Sequence, residues 1–375
     1  MKVALVILHA DPARGGAERY TIDLAAALTR EGHDVSLLAS SFADVPERIA
    51  QVKLDHHGVT RAGRYERFLD SLDQHLDRAN YDVVHAMLPV RRCDVYHPHA
   101  GIAVAALDRW TATFNPRRKR MALVERTLLT GPEPPVVLCL SEYVKRAVRA
   151  HYALPEDRLA TLFNAVDLER FVPGGESHAP AAPVRALIIA QDFERKGVIP
   201  AMEAARMFSG GQLRLTVVGR EPSNRYRRYA SELGIDVNFV GPTSDTRPFY
   251  RDADLFLLPT KHDPCSLVVL EALAMGLPVI STRFNGACEI MTDGVHGYIL
   301  DDPNDVDALA DAMRKMLDPD RRAKMAQACL ELRPKLSYNK HLWSLLNIYR
   351  EVLRSKTSRA AATTMPLPSG PAPAR

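Results

Sequence analysis

The stretch of residues 254–282, DLFLLPTKHDPCSLVVLEALAMGLPVIST, decides the fold by the order of its patterns. DLFLLPT is a short continuous apolar run, which is typical of a strand buried on both faces. Ser266 can cap the apolar helix LVVLEALAM, Gly276 ends that helix, and PVIST is a second buried strand. A strand, a helix and a strand in succession predict a βαβ unit and therefore a parallel sheet.

The same alternation continues along the chain and divides it into two halves. The segment VPGGESHAPAAP (172–183) is rich in Pro, Gly and Ala, which is typical of a linker. We therefore predict an α/β fold with two Rossmann-like, doubly wound domains, residues 1–171 and 184–337. The strand patterns on which this rests are KVALVIL (2–8), HDVSLLAS (33–40), YDVVHAM (81–87), PVVLCLS (135–141), VRALIIA (184–190), LRLTVVG (213–219) and VNFVG (237–241).

The C-terminal part of the chain contains one more long helix and a biased tail. The helix is predicted at about 338–354, with Trp343, Leu346 and Tyr349 on an apolar stripe, and we expect it to cross back to the first domain. Residues 355–375 are rich in Ala, Pro, Ser and Thr, which predicts a disordered tail.

Cysteine usage and charge indicate the compartment and exclude some partners. No CxxC occurs among the widely spaced cysteines, so we expect a reduced, cytoplasmic protein. The first apolar run is short for a signal peptide, and no run reaches the roughly 18 apolar residues of a membrane span. A net charge of +4 is too mild to indicate a nucleic-acid partner.

Two carboxylates in the opening stretch, Asp263 and Glu271, are candidates for ligand binding. Glu271 is the lone charge in its helix, and a buried carboxylate needs a partner such as the hydroxyls of a ribose. The backbone N–H groups of Ser266, Leu267 and Val268 would lie at a helix N-terminus, which suits a phosphate. Alternatively, Glu271 bonds a lysine or an amide and Asp263 is a turn residue.

Cations and glycines at other strand ends could contact the same ligand. Arg195 and Lys196 follow a strand in QDFERKG, where open α/β sheets bind ligands, and they could neutralise a diphosphate without a metal ion. Gly15 and Gly16 allow a phosphate or sugar to approach the backbone. The alternatives are a solvated pair of cations, and a first turn in which Glu18 only complements the helix dipole.

Three further patterns allow more than one interpretation. His97 and His99 lack a third ligand at metal-binding spacing, so a hydrogen bond to a sugar or a structural role remains. The Asp252-Ala-Asp254 pattern could chelate a divalent ion, but it joins a helix to a strand, which favours a structural role. Residues 107–126 combine Arg117 to Arg120 with aromatic residues, which suits either an anionic membrane surface or a solvated helix.

Four of these segments together resemble the family-4 retaining glycosyltransferases of the GT-B fold. They are GGAERYTIDLAAALTREGHDV, FNAVDLERF, DFERKG and HDPCSLVVLEALAMGLPVIST, and the resemblance covers about residues 1–350. Within the family, the chain is most similar to bacterial enzymes that add glucose from UDP-glucose to the lipopolysaccharide core. The resemblance implies two Rossmann-like domains that face a cleft.

The resemblance also implies roles for individual residues. Glu271 would hold the ribose hydroxyls, and Asp263, where the family usually has Glu, would contact the donor sugar. Arg195 and Lys196 would bind the diphosphate. Backbone groups of Cys265, Ser266, Leu267 and Val268 would contact sugar and diphosphate, Gly15 and Gly16 would face them, and His97 or His99 would lie near the reacting carbon.

We therefore expect a metal-independent, retaining hexosyltransferase that has no cofactor. Its donor would be a nucleotide sugar, in the first place UDP-glucose, and its acceptor a lipid-linked saccharide such as the lipopolysaccharide core. It would act in the cytoplasm or at the inner face of the plasma membrane. The alternatives are a mannosyl- or other hexosyltransferase, a nucleotide-sugar epimerase on the same fold, and a non-catalytic scaffold.

Overall fold

Two parallel β-sheets, one in each half of the chain, organise the computed structural model of this protein. The structure describes residues 1–105, 115–174, 183–208, 211–221 and 223–364, with side chains to residue 358 in the last helix. Every strand pairing in both sheets is parallel within these ranges. The predicted α/β class with two doubly wound domains is confirmed.

The first sheet has seven strands in the described residues, in the order β3-β2-β1-β4-β5-β6-β7. The strands are β1 (Lys2–Val6), β2 (Asp34–Ala39), β3 (Ala50–Lys53), β4 (Val83–Ala86), β5 (Val95–Tyr96), β6 (Val136–Cys139) and β7 (Leu159–Thr161). The helices of this half are α1 (Gly16–Arg30), α2 (Arg61–Arg78), α3 (Pro116–Thr130) and α4 (Glu142–His151).

The second sheet, over the same described ranges, has six strands in the order β10-β9-β8-β11-β12-β13. The strands are β8 (Val184–Ile189), β9 (Leu213–Val218), β10 (Val237–Gly241), β11 (Leu255–Leu258), β12 (Val279–Thr282) and β13 (Gly297–Leu300). The helices are α5 (Val198–Ala205), α6 (Asn224–Leu233), α7 (Arg247–Asp252), α8 (Leu267–Ala274), α9 (Val306–Lys315), α10 (Pro319–Glu331), α11 (Arg333–Leu336) and α12 (Tyr338–Thr364).

Each sheet begins at a central strand and then grows in both directions. Strand β1 pairs with β2 on one side and β4 on the other, and β8 pairs in the same way with β9 and β11. At β1 and at β8 the order of strand addition switches from one side of the strand to the other. The connections therefore diverge there and leave a crevice beyond the carboxyl ends of the strands. The loops after β1, β8 and β11 therefore lie where a doubly wound sheet binds its ligands.

The pattern Asp252-Ala-Asp254 has a structural role at the edge of the second domain. Arg185 on β8 donates to Asp252 Oδ1 at 2.6 Å and to Asp254 Oδ2 at 3.2 Å. Both carboxylates thus fix the turn between α7 and β11 to the neighbouring strand, as the structural interpretation predicted.

The long helix α12 packs against the first sheet although it follows the second domain in sequence. Tyr349 is buried on it, and its hydroxyl lies 2.7 Å from His85 Nδ1 on β4. Leu345 has no exposed surface and belongs to the core cluster of the first domain. The helix continues to Thr364, because a helix pattern rich in Ala follows residue 354. This corrects the predicted helix end at about 354 and the predicted disorder of residues 355–364; residues 365–375 lie outside the described range.

The described helices include no candidate membrane span. None of them combines the length and the apolar character that a membrane span needs.

Replacing Leu345 by Ala tests the packing of α12. Leu345 is fully buried, so we expect a cavity in the first domain and a loss of about 2–5 kcal/mol in its free energy of unfolding, measured by chemical denaturation. Trp343 on the same helix is 66% exposed, and Trp343→Ala is the control, with a change within about 0.5 kcal/mol. Equal effects of the two substitutions would contradict the placement of the helix.

Candidate active site

A cleft of about 1560 Å³ lies between the two domains, and residues of both line it. Every predicted site residue except His97 contributes to its wall. Those residues are Gly15, Gly16 and His99 from the first domain and Arg195, Lys196, Asp263, Cys265, Ser266, Leu267, Val268 and Glu271 from the second.

A buried ion pair between Lys196 and Asp263 lies at the base of the second domain's side of the cleft. Lys196 Nζ donates to Asp263 Oδ2, and the two residues are 9% and 7% exposed. Burial alone would raise the pKa of Asp263, but the neighbouring ammonium of Lys196 outweighs it and holds that pKa below its ordinary value. Asp263 is therefore ionised at neutral pH, and its charge is committed to Lys196 in this structure.

Two loops meet closely to place Lys196 and Arg195 side by side. Gly197 has a φ of 80°, and a Cβ at this position would lie 2.2 Å from the carbonyl oxygen of Pro259. Arg195 reaches across the same junction and donates from Nη1 to the carbonyl oxygen of His262 at 2.7 Å. The loop after β8 and the loop after β11 thus form one wall, which a side chain at position 197 would separate.

The N-terminus of α8 points into the cleft beside these cations. Among the described residues, no protein acceptor is found for the backbone N–H groups of Leu267 and Val268. The prediction for Ser266 needs correction, because its N–H donates to Asn285 Oδ1 at 3.2 Å and is already used. Its hydroxyl does not cap the helix but bonds to Asp263, which further favours the ionised carboxylate.

Glu271 lies one turn further along α8 and faces both domains. Burial raises its pKa to about 7, against the effect of a hydrogen bond of 2.7 Å from the Tyr250 hydroxyl. Arg170 and Arg19 of the first domain lower this pKa, and Asp23 raises it. A hydroxyl-rich ligand in the cleft would therefore meet a carboxylate that changes its charge near neutral pH.

The two halves touch at Gly16. A Cβ at this position would lie 3.2 Å from Leu267 Cδ1, so the start of α1 lies directly against the start of α8. The backbone before it is extended, since Gly15 has a φ of 175°. Small residues at this point allow two helix N-termini to face the same ligand.

The structure separates the two candidate histidines. His99 lines the cleft, whereas His97 is fully buried and lies behind it. His97 Nδ1 is 3.2 Å from His85 Nε2, and the rings of His97 and His99 are 4.1 Å apart. Burial lowers the pKa of both histidines well below the ordinary value, so both are neutral at pH 7.

Glu125, which sequence reasoning missed, does not line the cleft itself but supports two residues that do, Tyr96 and Ala103. Its buried carboxylate accepts hydrogen bonds from the N–H of Ala103 at 2.8 Å and of Val104 at 3.1 Å, and from the hydroxyls of Tyr96 and Tyr152. These bonds fix the loop that carries His99. The available signal was weak, because Glu125 shares its helix with several cations, whereas Glu271 is the lone charge in α8.

Hydrogen bonds between the two domains join them beside the cleft, and these were also missed. Ser141 Oγ donates to the carbonyl oxygen of Pro264 at 2.7 Å. Asn164 Nδ2 donates to that of Cys265 at 3.0 Å. The Glu289 carboxylate accepts from the backbone N–H groups of Glu142 and Tyr143 at 2.7 and 2.6 Å, and so caps α4 from the other domain.

The predicted membrane segment, residues 107–126, is only partly described, because Trp110 and Phe114 lie outside the described residues. Within it, Arg117 and Arg118 line the cleft, and Arg120 pairs with Glu66. Lys119 is exposed on the outer surface. The four consecutive cations therefore do not form one outward-facing patch.

The side chains that the structure describes offer no candidate metal site. They include no group of three or more His, Cys, Asp or Glu placed to hold a metal ion.

Two family models match the chain, one on each domain. The model described as Glycosyltransferase Family 4 matches residues 14–170, and the model described as Glycosyl transferases group 1 matches residues 185–319. Both ranges together include every predicted site residue.

Curated relatives share most of their length with this chain. The D-inositol 3-phosphate glycosyltransferase of Saccharomonospora viridis is 30% identical over 305 residues, which cover 69% of this chain and 70% of that protein. The lipopolysaccharide glucosyltransferase WaaG of Escherichia coli is 24% identical over 323 residues, which cover 81% of this chain and 86% of that protein.

Solved structures share the same fold. The crystal structure of WaaG, a glycosyltransferase involved in lipopolysaccharide biosynthesis, superposes with a TM-score of 0.78 at 21% identity and covers 88% of this chain and 95% of that chain. HepE of Anabaena in complex with UDP-glucose has a TM-score of 0.72 at 17% identity and covers 96% and 100%.

Removing one partner of the buried ion pair tests how the site is held. We expect Lys196→Met to lower the free energy of unfolding of the second domain by about 3–5 kcal/mol, because Asp263 is left as an uncompensated buried charge. Replacing both residues, as Lys196→Met with Asp263→Asn, removes that charge and recovers part of the loss. Chemical denaturation measures both; a double variant no more stable than the single one would contradict the pairing.

Proposed function

The chain belongs to the family-4 glycosyltransferases and has the GT-B fold, and from this premise we propose that it transfers glucose from UDP-glucose to a lipid-linked saccharide. The proposed acceptor is a saccharide such as the lipopolysaccharide core. The proposed transfer retains the anomeric configuration and uses no metal ion or other cofactor. We place the enzyme in the cytoplasm, at the inner face of the plasma membrane.

One observation carries the proposal. A single cleft brings together two cations, Arg195 and Lys196, the N-terminus of α8 and the carboxylate of Glu271. Cations and backbone N–H groups bind a diphosphate, and a carboxylate one helical turn away binds ribose hydroxyls. A nucleoside diphosphate sugar is the ligand that satisfies all of these groups together.

The choice of donor and acceptor is supported by the relatives. HepE of Anabaena is described in complex with UDP-glucose, and WaaG of Escherichia coli is described as a lipopolysaccharide glucosyltransferase. Another hexosyl donor, such as a mannosyl nucleotide, would fit the same diphosphate-binding groups. A donor screen by melting temperature with UDP, GDP and ADP sugars separates these alternatives.

The cleft can support a retaining transfer by charge stabilisation. As the bond from the anomeric carbon to the diphosphate oxygen breaks, negative charge develops on the diphosphate, which Arg195 and the α8 N–H groups stabilise. The acceptor hydroxyl forms the new bond on the same face of the sugar and gives its proton to the departing diphosphate. The protein's main contribution is then to orient the two reactants.

The ion pair of Lys196 and Asp263 has a second use in this proposal. A diphosphate competes with Asp263 for the Lys196 ammonium, so donor binding frees carboxylate oxygens that can accept from sugar hydroxyls. His99 is the histidine that would face the sugar, because it lines the cleft while His97 is buried. Asp263 and His99 would thus contact the hexose from opposite domains.

Activity assays with substituted proteins test the proposal. We expect Arg195→Ala to lower kcat/KM for transfer from UDP-glucose by roughly a hundredfold to a thousandfold, because charge on the leaving diphosphate loses its partner. Lys324→Ala, an exposed cation outside the cleft, is the matched control and leaves the rate unchanged. Unaltered kinetics in Arg195→Ala would refute the assignment of the diphosphate site.

The same assay without acceptor distinguishes an epimerase from a transferase. Without acceptor, conversion of UDP-glucose to another UDP-hexose would show an epimerase. With acceptor present, a protein that binds UDP but turns over no donor would be a scaffold. Nuclear magnetic resonance of the product reports the anomeric configuration, and an inverted product would exclude the retaining mechanism.

Glu271 makes donor binding depend on pH. Its pKa of about 7 means that the ionised form, which accepts two ribose hydroxyls, increases as pH rises through 7. We expect UDP-glucose to bind about tenfold more tightly at pH 8 than at pH 6, as measured by calorimetry, because only the ionised fraction is competent. Glu271→Gln cannot ionise and should show a flat profile; the same rise in that variant would show that another group is responsible.

A further inference from the structure

Four arginines meet on the first domain's side of the cleft, and we call Arg14, Arg61, Arg64 and Arg117 the arginine cluster. Arg14, Arg61 and Arg117 line the cleft. Arg14 precedes α1, Arg61 and Arg64 lie in the first turns of α2, and Arg117 lies in the first turn of α3. Arg61, Arg14 and Arg64 are close enough to act electrostatically on the Arg117 guanidinium.

The cluster has no carboxylate partner within 4.0 Å in the part of the chain that the structure describes. Neighbouring arginines are different: Arg91 pairs with Glu66, Asp70 and Asp73, and Arg120 pairs with Glu66. The acids of α2 are thus engaged on its outer side. Glu18 is within electrostatic range of Arg14 but not within 4.0 Å, Asp11 acts on the neighbouring His9, and Asp44 also lines the cleft.

The positions of these arginines are unfavourable without an anion. Helix N-termini prefer acidic residues, yet the first turns of α2 and α3 contain none and carry arginines instead. Burial lowers the pKa of Arg117, and the surrounding cations add to this shift. A bound anion would offset both the repulsion and the unfavourable helix dipoles.

We propose that the arginine cluster binds a phosphate group of the acceptor, so that the acceptor is a phosphorylated saccharide. Guanidinium groups bind phosphate oxygens through paired N–H donors, and several converging arginines are typical of such sites. The cluster lies in the first domain, across the cleft from the cations assigned to the donor diphosphate. The acceptor's identity as a saccharide rests on the proposed function; the phosphate site itself does not.

Inorganic phosphate is the probe that tests the site. Full-length protein is first saturated with UDP, which occupies the groups around Arg195, and phosphate binding is then measured by calorimetry. We expect wild type to bind phosphate and Arg61→Ala with Arg117→Ala to bind it at least about tenfold more weakly. Lys119→Ala, which removes a cation from the outer side of the same helix, should bind phosphate as wild type does.

The affinity for UDP shows whether the double variant is folded. A variant that keeps the wild-type UDP affinity and loses phosphate binding supports the site. Wild type that binds no phosphate, or a folded double variant that binds it equally well, overturns the proposal.

A membrane role for the same arginines is tested in parallel. Co-sedimentation with vesicles of phosphatidylglycerol and phosphatidylcholine measures it, and a double variant that loses vesicle binding but keeps phosphate binding would also overturn the proposal.

Failure of the proposed function has a separate signature, because wild type would then bind neither UDP nor UDP-glucose. In that case phosphate can be titrated without UDP, and the comparison of wild type with the double variant still shows whether the arginine cluster binds phosphate.

Discussion

The buried ion pair of Lys196 and Asp263 is the constraint around which the second domain's site is arranged. Neither charge is stable in the interior alone, so the loops after β8 and β11 must meet closely enough to join them. These two strands are neighbours at the point where the strand order reverses, which places the pair at the mouth of the crevice. Gly197, Arg195 and the start of α8 then have little freedom in where they lie.

The sequence allowed the fold and most of the cleft to be predicted, because these depend on local signals. Short segments of the sequence contain these signals: apolar runs, a Gly that ends a helix, and cations that follow a strand. They predicted that Arg195, Lys196 and Glu271 lie on one wall of the cleft, as the structure has them. Three predicted details differ in the structure: the free N–H of Ser266, the helix end near 354, and Trp343, which is exposed although it was predicted on an apolar stripe. Ser266 depends on Asn285, a residue from another loop, and no short window contains that contact.

Long-range contacts explain the other features that were not predicted. Glu125 follows the loop residues Ala103 and Val104 by 22 and 21 positions, and its four donors come from three segments. His97 and His99 look equivalent in the sequence, and only the arrangement of β5 and α12 shows that one lines the cleft and the other is buried. The arginine cluster joins residues from three helix starts, so composition alone shows a mild net charge of +4.

The cap that Glu289 provides for α4 has a consequence for motion. The N–H groups of Glu142 and Tyr143 find their acceptor in the other domain, so the first turn of α4 is fully bonded only while the domains are together. If the domains separated, these N–H groups and the carboxylate would form hydrogen bonds with water instead. Each such exchange changes the free energy of domain association by only about 1 kcal/mol. The contact between the Glu289 carboxylate and α4 is therefore reversible, and its stability depends on how well water can replace that carboxylate as the acceptor.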